Sequence, residues 1–381
     1  MLANLANTPP DKPPNDPSNS PPDDPPIDRS TNAGGDSPQN LPRGVLRPSA
    51  AYALPARTVR GFVAGWKAPP RIGDVVVGQV RAIGAHREIE NPQGRIHQLN
   101  EGFLSLFVYG NRYATDAFEA IVPDRARPVV DLVARSGVIG DVQSRNSRML
   151  APTQVSVLGR AVDRDGHPIN TLAYPRIVPK VTYRSEPRAQ MILVIGTAMN
   201  AGKSTVAASL CWALTTMGHN VRASKVTGTA SLREILQMSD AGARSVSDFS
   251  YLGYPSTHLL DQADLLHIFE TLDLKIANNP RNHWIVEVAD GVLQRETALL
   301  LSSPLVRERV DRLILCASDS FGALGAIRTL ADSYGLVPDA VSGLIANSPL
   351  GVRELTDNAA VATFDATKPD LRAIAKIVLN G

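Results

Sequence analysis

The feature that most constrains the fold is an apolar strand that runs directly into a glycine-rich turn and the start of a helix. The segment is Met191-Ile-Leu-Val-Ile-Gly196-Thr-Ala-Met-Asn-Ala-Gly202-Lys203-Ser204-Thr205. The backbone N–H groups at the start of such a helix, with the positive end of its dipole, can bind a phosphate group. Lys203 adds a charge that can reach the β- and γ-phosphates, and Ser204 offers a hydroxyl to Mg²⁺. The sequence therefore predicts a phosphate-binding loop, or P-loop, for a nucleoside triphosphate.

Compact apolar segments alternate with longer helical patterns from Met191 to the end of the chain. The first helix, predicted over Ser204–Met217, ends at Gly218, a residue type that favours helix C-termini. This alternation predicts a doubly wound α/β domain over residues 186–381, with a mostly parallel sheet that binds ligands at the carboxyl ends of its strands. The predicted strands are Met191–Ile195, Val221–Ser224, Trp284–Val288, Arg312–Ala317, Val341–Ala346 and Ala362–Phe364.

Residues 44–180 show short apolar or alternating segments separated by turn residues. This pattern predicts a small β-rich, barrel-like domain in front of the α/β domain. Gly73-Asp-Val-Val-Val-Gly is similar to segments of small nucleic-acid-binding barrels, and Leu158–Asn170 resembles hairpins in the N-terminal barrels of rotary ATPases. The region has no stripe of basic and aromatic residues, so nucleic acid is not the expected ligand.

Composition narrows the class of protein further. Residues 1–43 hold eleven of the 29 prolines and few large apolar side chains, which predicts a disordered tail. The formal net charge of +2 provides no strong field for nucleic acid or a membrane. Cys211 and Cys316 lie in apolar segments and are predicted core thiols. The sequence has no secretory signal and no apolar stretch of about 20 residues, so a cytoplasmic protein is expected.

The P-loop has five residues between its two glycines, where four are common. In this spacing it resembles the P-loop of dethiobiotin synthetase and of the related cobyrinate-synthase-like NTPases, and the resemblance covers Met191 to Gly381. It implies ATP and Mg²⁺ as cofactors. The predicted nucleotide contacts are Gly196, Thr197, Asn200, Ala201, Gly202, Lys203, Ser204, Thr205 and Asn347.

The stretch Lys225-Val-Thr-Gly-Thr, after the second predicted strand, resembles Lys-Pro-Val-Ala-Ser-Gly of dethiobiotin synthetases. In that family the lysine and the hydroxyl residue hold the carbamate or phosphoryl group that is transferred. The resemblance implies that Lys225 neutralises charge on that group. The later polar and aromatic segment that contains Ser256 and Thr257 is typical of a loop that closes over a substrate. The predicted substrate contacts are Lys225, Thr227, Thr229, Ser256 and Thr257.

Two acidic residues are predicted to hold Mg²⁺ together with Ser204. Asp240 lies in Met238-Ser-Asp-Ala, which matches the Ser-Asp-Ala element that supplies a carboxylate to Mg²⁺ in the family. Glu287 ends the apolar segment Trp284-Ile-Val-Glu, which is similar to the family's strand ending in Val-Glu-Gly-Ala-Gly-Gly. An unpaired buried carboxylate is costly, so Glu287 is expected to face the metal ion or its bound water.

Asp290 departs from the family pattern, because dethiobiotin synthetases carry glycine or a small residue at this position. An extra carboxylate in this turn can act as a general base or bind a substrate group, and it can equally cap the helix that follows. Together with Lys203 and Lys225, Asp290 completes the predicted catalytic set.

Asn347 ends the segment Val341-Ser-Gly-Leu-Ile-Ala-Asn, which resembles the family strand whose asparagine contacts the nucleobase. An amide can pair with both the donor and the acceptor of adenine. The alternative is that Asn347 serves the turn before Ser348-Pro349. The sequence lacks the Asn/Thr-Lys-x-Asp motif of guanine-specific GTPases, and this favours ATP.

These features predict an ATP-dependent phosphotransferase or ligase that phosphorylates or activates a carboxylate, carbamate or hydroxyl group of a small molecule. Neither cysteine is placed as the nucleophile of a glutamine-dependent amidotransferase. The alternative is a switch or assembly ATPase whose β-rich domain binds a protein partner. The signature lysine of such ATPases is replaced by Ala198, which weakens this alternative. A homodimer is left open.

Overall fold

The computed structural model describes residues 37–180 and 182–379, and these residues belong to one compact unit. The predicted tail at residues 1–43 therefore lies mostly outside the described residues. Two parts of the unit are treated in turn: a β-rich part up to residue 180 and an α/β part from residue 182 onward. None of the described helices combines the length and the apolar character that crossing a membrane requires.

The β-rich part contains a nine-stranded sheet and a separate two-stranded hairpin. Its strands are β1 (Gln39–Asn40), β2 (Gly61–Val63), β3 (Val75–Ala82), β4 (Glu88–Glu90), β5 (Ile96–Gln98), β6 (Leu104–Tyr109), β7 (Arg112–Tyr113), β8 (Phe118–Ile121), β9 (Val129–Ala134), β10 (Val138–Arg145) and β11 (Thr153–Val162). Strands β3, β6, β10, β9 and β11 pair in that order, and β11 pairs with β3 again. These five strands form a closed circuit of paired strands, and the predicted barrel-like domain stays a prediction.

The apolar residues of β3 pack on both faces of the strand. Val76 and Val80 pack in one cluster with Phe107 and Val155, whereas Val75 belongs to a second cluster on the other side. Successive side chains of a strand point to opposite faces, so a run of adjacent valines supplies two cores. This continuous apolar pattern is typical of strands that are buried on both sides.

The α/β part is built on a seven-stranded sheet in which all the neighbouring strands are parallel. Its strands are β12 (Gln190–Gly196), β13 (Asn220–Lys225), β14 (Ser245–Asp248), β15 (Asn282–Glu287), β16 (Arg312–Cys316), β17 (Ala340–Ser342) and β18 (Ala362–Thr363), in the order β14-β13-β15-β12-β16-β17-β18. The predicted α/β fold with a parallel sheet is confirmed.

Helices cover both faces of this sheet. They are α1 (Lys203–Thr216), α2 (Leu232–Asp240), α3 (Gln262–Ile276), α4 (Arg295–Ser302), α5 (Pro304–Arg307), α6 (Ser320–Tyr334), α7 (Pro349–Thr356) and α8 (Leu371–Val378). In β12, Ile192 packs in the cluster that contains residues of α1, α2 and α8, whereas Leu193 packs in the cluster that contains residues of α3, α4 and α6. The sheet is thus covered on both faces, as a doubly wound fold requires.

The strands of the α/β part differ from the sequence prediction in two places. The strand predicted over Val341–Ala346 ends at Ser342, because Gly343 adopts a φ of 88° and turns the chain into a short 3₁₀ helix, Leu344–Asn347. Strand β14 was not predicted, since its polar sequence Ser-Val-Ser-Asp lacks the apolar character of the inner strands. It lies at the edge of the sheet, where fewer apolar residues are needed.

The apolar core continues from the β-rich part into the α/β part. Leu54 and Phe62 belong to the same cluster of buried residues as Phe249 and Leu252. Cys211 and Cys316 are both buried free thiols, as predicted. The shared core holds the β-rich part against the carboxyl edge of the parallel sheet, and this edge carries the candidate site described next.

Candidate functional site

The predicted P-loop connects β12 to α1. Gly202 precedes the first residue of α1 and has a φ of 97°, a left-handed conformation that favours glycine. A Cβ atom at Gly202 would lie 2.9 Å from the Cα atom of Gly343, so a side chain here would also push the loop away from the turn after β17. The first N–H groups of α1 have no partners within the helix, and no side chain caps this end. The loop therefore presents free donors to an anion.

Lys203 is held over the loop by two backbone oxygens. Its Nζ atom donates to the carbonyl oxygens of Ala198 at 2.8 Å and Asp290 at 2.7 Å. Burial lowers the pKa of Lys203, and the nearby carboxylate of Glu287 acts in the opposite direction. A phosphate group in the loop would replace the two carbonyl oxygens as a stronger, charged acceptor.

Ser204 and Glu287 meet across the end of the sheet. The Ser204 hydroxyl donates to Oε1 of Glu287 at 3.0 Å. The Oε2 atom of Glu287 is buried and has no hydrogen-bond partner among the described residues. Burial raises the pKa of Glu287, and Lys225, whose Nζ atom lies 3.8 Å from Oε1, partly offsets this. An unpartnered buried carboxylate oxygen beside a serine hydroxyl is a donor set that suits Mg²⁺.

Lys225 forms an ion pair with Glu234, in the first turn of α2. Burial alone would lower the pKa of Lys225, but Glu234 and Glu287 outweigh burial and raise the pKa above its ordinary value. The ammonium group is therefore kept charged in a largely closed site. Glu234 was missed by the sequence predictions, although the Ser231-x-x-Glu234 spacing is the common signature of a helix start.

The structure places Asp240 away from this cluster. Asp240 is the exposed last residue of α2, whereas Glu234 is near the start of the same helix and lines the cavity. The helix rises by about 1.5 Å per residue, so six positions carry Asp240 roughly 9 Å further along the axis. Asp240 therefore does not line the cavity with Ser204 and Glu287, and its contact with Mg²⁺ stays a prediction.

Asp290 follows β15 in a strained turn with a φ of 60°. Burial raises the pKa of its carboxyl group, and Lys203 and Lys225 act against this rise. The alternative that Asp290 caps the following helix is wrong, because Gln294 accepts from the N–H groups of Glu296 and Thr297 at the start of α4. The side chain of Asp290 is thus left to face the cavity.

The predicted substrate contacts lie in and beside the same cavity. Thr229 lines the main cavity, whereas Thr227, Ser256 and Thr257 line a small adjoining niche. Their hydroxyls already serve the fold: Thr227 accepts from the N–H of Ala289 at 2.9 Å, and Thr257 accepts from the N–H of Gly228 at 2.9 Å. Direct contact of these hydroxyls with a substrate stays a prediction.

His258 borders the niche and is buried. Its two ring nitrogens have no hydrogen-bond partner among the described residues, and Nδ1 lies 3.7 Å from Oε2 of Glu296. The ring of Tyr113, from the β-rich part, lies 5.5 Å from the His258 ring, centroid to centroid. Burial raises the pKa of Glu296, but contacts from His258, the Leu259 N–H and Arg295 outweigh it and lower the pKa to about 2.

The P-loop faces a cavity of about 880 Å³ with two walls. The α/β wall consists of lining residues from the α/β part, including Asn200, Gly202, Lys203, Ser204, Thr205, Lys225, Arg233, Glu234, Glu287 and Asp290. The β-rich wall was not predicted, and it consists of Ala85, His86, Arg87, Glu88, Gln98, Arg112, Tyr113, Ala114, Ala134, Arg135 and Ser136. These residues come from separate loops and strand ends, so no contiguous motif marks them in the sequence.

The two walls touch at the P-loop itself. Asn200 has a φ of 63°, and its Nδ2 atom donates to Oδ2 of Asp116 at 2.9 Å. Met199 packs against Phe118 and two alanines of the β-rich part. The β-rich part therefore helps to set the conformation of the loop.

The remaining predicted nucleotide contacts, Gly196, Thr197, Ala201 and Asn347, are not among the residues that line the cavity. Gly196 is the last residue of β12, Thr197 follows it, and Ala201 is buried beneath the loop. Asn347 is exposed at the end of its 3₁₀ helix, three residues after Leu344, which does line the cavity. Its contact with a nucleobase stays a prediction.

No protein-family model and no curated protein matches the chain. Among solved structures it is similar to the signal recognition particle receptor FtsY from Elizabethkingia anophelis, with 15% identity and a TM-score of 0.34, over 54% of this chain and 65% of that one. It is also similar to a ParA family ATPase from Chlorobium tepidum, with 12% identity and a TM-score of 0.30, over 51% of this chain and 93% of that one. At such TM-scores these likenesses carry no argument, and the assignment of a P-loop rests on the loop geometry.

Proposed function

We propose that the protein is an ATP- and Mg²⁺-dependent enzyme that phosphorylates or activates a carboxylate, carbamate or hydroxyl group of a small molecule. The observation that carries this proposal is that Lys203, the Ser204–Glu287 pair and Lys225 all line one cavity, which the β-rich wall covers on the other side. Its volume of about 880 Å³ falls in the range of small-molecule sites. A covered cavity suits transfer to a small acceptor.

The nucleotide would bind with its β- and γ-phosphates at the start of α1 and in reach of Lys203. Ser204 and Glu287 would hold Mg²⁺, which neutralises charge on the phosphate oxygens when it is bound. Lys225 stays charged through its pair with Glu234, so it can stabilise negative charge on the transferred group. Positioning and charge neutralisation supply most of the catalysis in phosphoryl transfer.

In the transfer step, the acceptor oxygen forms a bond to the γ-phosphorus while the bond from that phosphorus to the β–γ bridging oxygen breaks, and ADP leaves. For a hydroxyl acceptor, the proton passes to the carboxylate of Asp290. The raised pKa of Asp290 makes it a better base than an ordinary aspartate. A carboxylate acceptor carries no such proton and does not need this step.

The test is ATP turnover against fractionated pools of small metabolites, with the wild type compared with Lys203→Ala and Lys225→Ala. Lys67→Ala, an exposed lysine outside the cavity, is the matched control. We expect turnover that requires a metabolite, is lost in both cavity variants and persists in the control. Slow hydrolysis that ignores every metabolite but responds to a protein partner would instead select the switch ATPase.

A further inference from the structure

Arg112 is a largely enclosed guanidinium group that lacks a carboxylate partner. Within residues 37–180 and 182–379, no carboxylate oxygen lies within 4.0 Å of its guanidinium nitrogens. Its Nη1 atom donates to the carbonyl oxygen of Val133 at 2.5 Å, and its Nε atom is buried without a partner. Burial lowers the pKa of Arg112, and the carboxylates of Asp116, Asp290 and Glu234 act in the opposite direction.

Other enclosed arginines among the described residues have a carboxylate partner or several carbonyl acceptors, although Nε of Arg160 also lacks a hydrogen-bond partner. Arg160 pairs with Asp74 at 2.8 Å, and Arg309 pairs with Asp273 at 3.2 Å. Arg47 has no carboxylate partner, but its guanidinium donates to the carbonyl oxygens of Ala51, Tyr52 and Leu54. Buried charges are normally paired, so an arginine with one carbonyl acceptor and no carboxylate partner among the described residues is suited to bind an anionic ligand.

The surroundings of Arg112 add positive charge. The β-rich wall holds three arginines, Arg87, Arg112 and Arg135, against the single carboxylate of Glu88. Arg135 is only loosely compensated, with Nη1 at 3.5 Å from Glu88. Burial, with Arg112 as the next cause, lowers the pKa of His86 to about 4, so this ring is neutral at pH 7 and adds no charge of its own. The wall therefore has an excess of cations over anions.

We infer that Arg112, with Arg135 beside it, binds an oxyanion group of the acceptor, either a carboxylate or a phosphate. The planar fork of an arginine matches both groups by two parallel hydrogen bonds. The inference rests on the proposed function, since it assigns the acceptor to the wall opposite the P-loop. The acceptor is therefore an acidic small molecule.

The position of Arg112 in the cavity indicates that the acceptor, and not the nucleotide, carries the oxyanion group that Arg112 binds. The start of α1 and Lys203 already provide donors for the nucleotide phosphates on the α/β wall. Arg112 comes from the opposite wall, and its electrostatic neighbours are Asp116 of the β-rich part and then Asp290 and Glu234 of the α/β wall. An acceptor anchored at Arg112 would therefore direct its reactive end toward the transfer site.

The experiment fills the P-loop first and then measures anion binding. The full chain is saturated with Mg²⁺ and a non-hydrolysable ATP analogue, and the analogue's affinity is recorded by calorimetry. Succinate, inorganic phosphate and neutral succinamide are then titrated at constant ionic strength, with thermal stability as the readout. We expect succinate or phosphate, but not succinamide, to stabilise the wild type, and the effective anion identifies the source of the oxyanion.

The variants are Arg112→Gln, Arg112→Lys and Arg135→Gln. We expect roughly ten- to hundred-fold weaker anion binding for Arg112→Gln, a smaller loss for the other two, and unchanged affinity for the ATP analogue. Arg328→Gln, an exposed arginine on α6, is the control for loss of charge alone. If Arg112→Gln does not fold, Arg112→Lys and the more exposed Arg135→Gln carry the test.

Three results would overturn the inference. One is anion binding that is equal in the wild type and all cavity variants, and another is no anion binding by a wild type that binds the analogue. The third is a ten-fold or greater loss of analogue affinity in Arg112→Gln, since Arg112 would then serve the nucleotide. Failure of the wild type to bind the analogue at all would instead reject the proposed function, so the two failures are distinct.

Discussion

The two walls of the cavity balance their charges in opposite ways. On the α/β wall the basic and acidic side chains are equal in number: Lys203, Lys225 and Arg233 against Glu234, Glu287 and Asp290. On the β-rich wall three arginines face one glutamate. On the first wall Lys225 and Glu234 form an ion pair, whereas on the second Arg112 has no carboxylate partner among the described residues. A wall with equal numbers of basic and acidic side chains can position a ligand and a metal ion. A wall with an excess of positive charge needs an anionic ligand to neutralise that charge.

The largest expected effect comes from Glu287→Gln, which removes the charge of a carboxylate whose Oε2 atom has no hydrogen-bond partner among the described residues. We expect ATP turnover to fall by about 100-fold or more, because the metal ion loses a charged ligand. Mg²⁺ titrations of turnover and of affinity for an ATP analogue measure the loss. Asp240→Asn is the matched control and should behave as the wild type. A similar loss in both variants would restore Asp240 to the metal site and break the description of this wall.

The contrast between Glu287 and Asp240 also shows what the sequence could and could not predict. Glu287 was placed correctly because the end of a buried parallel strand has a fixed position, at the carboxyl edge of the sheet. Asp240 does not line the cavity, because its position depends on where α2 begins relative to β13, and local pattern does not determine that geometry. Glu234 reaches Lys225 from the first turn of α2 for the same reason.

The β-rich wall was beyond sequence analysis for a different physical reason. Its strands were expected. Arg112 lies on β7, Arg135 follows β9 and His86 precedes β4, so only the tertiary fold brings them together. Single arginines in short strands are ordinary surface residues by pattern alone. Arg112 differs from Arg160 in having no carboxylate partner among the described residues, and that is a property of the folded chain.

A second prediction tests how tightly the α/β wall is built. A Cβ atom at Gly291 would collide with the carbonyl oxygen of Thr197, whereas one at Gly325, on α6, would meet nothing within 4 Å. We therefore expect Gly291→Ala to lower the free energy of unfolding by about 1–3 kcal/mol. Gly325→Ala should raise it by up to about 1 kcal/mol, because alanine favours a helix. Urea denaturation compares the two, and equal effects would show that the turn after β15 can relax.

A third prediction concerns the niche where Tyr113 of the β-rich part meets His258. Contacts lower the pKa of Glu296 to about 2, so ionised Glu296 stabilises the folded chain. The stabilisation is present above the ordinary carboxyl pKa of about 4.5 and is lost as the pH falls toward 2. Glu296→Gln should lack it. The difference in urea midpoint between wild type and variant should thus be largest near pH 6 and shrink below pH 4.5, and a difference independent of pH would contradict this.

The smallest expected effect tests the direct contact between the walls. Asp116→Ala removes the acceptor of the Asn200 side chain while it leaves the left-handed backbone of Asn200 unchanged. The bond is exposed, so we expect at most about 1 kcal/mol of lost stability. The loop would lose one restraint from the β-rich part, and the affinity for an ATP analogue should fall by only a few-fold in calorimetry.

Asp124→Ala is the control for this contact, because Asp124 is an exposed aspartate of the same part and lies outside the cavity lining. If both variants keep the wild-type affinity, the α/β wall is preorganised without help from the β-rich wall, and the two walls act independently. A loss of ten-fold or more in Asp116→Ala alone would mean the reverse. The β-rich part would then control donor binding as well, and the separation of donor and acceptor between the walls would not hold.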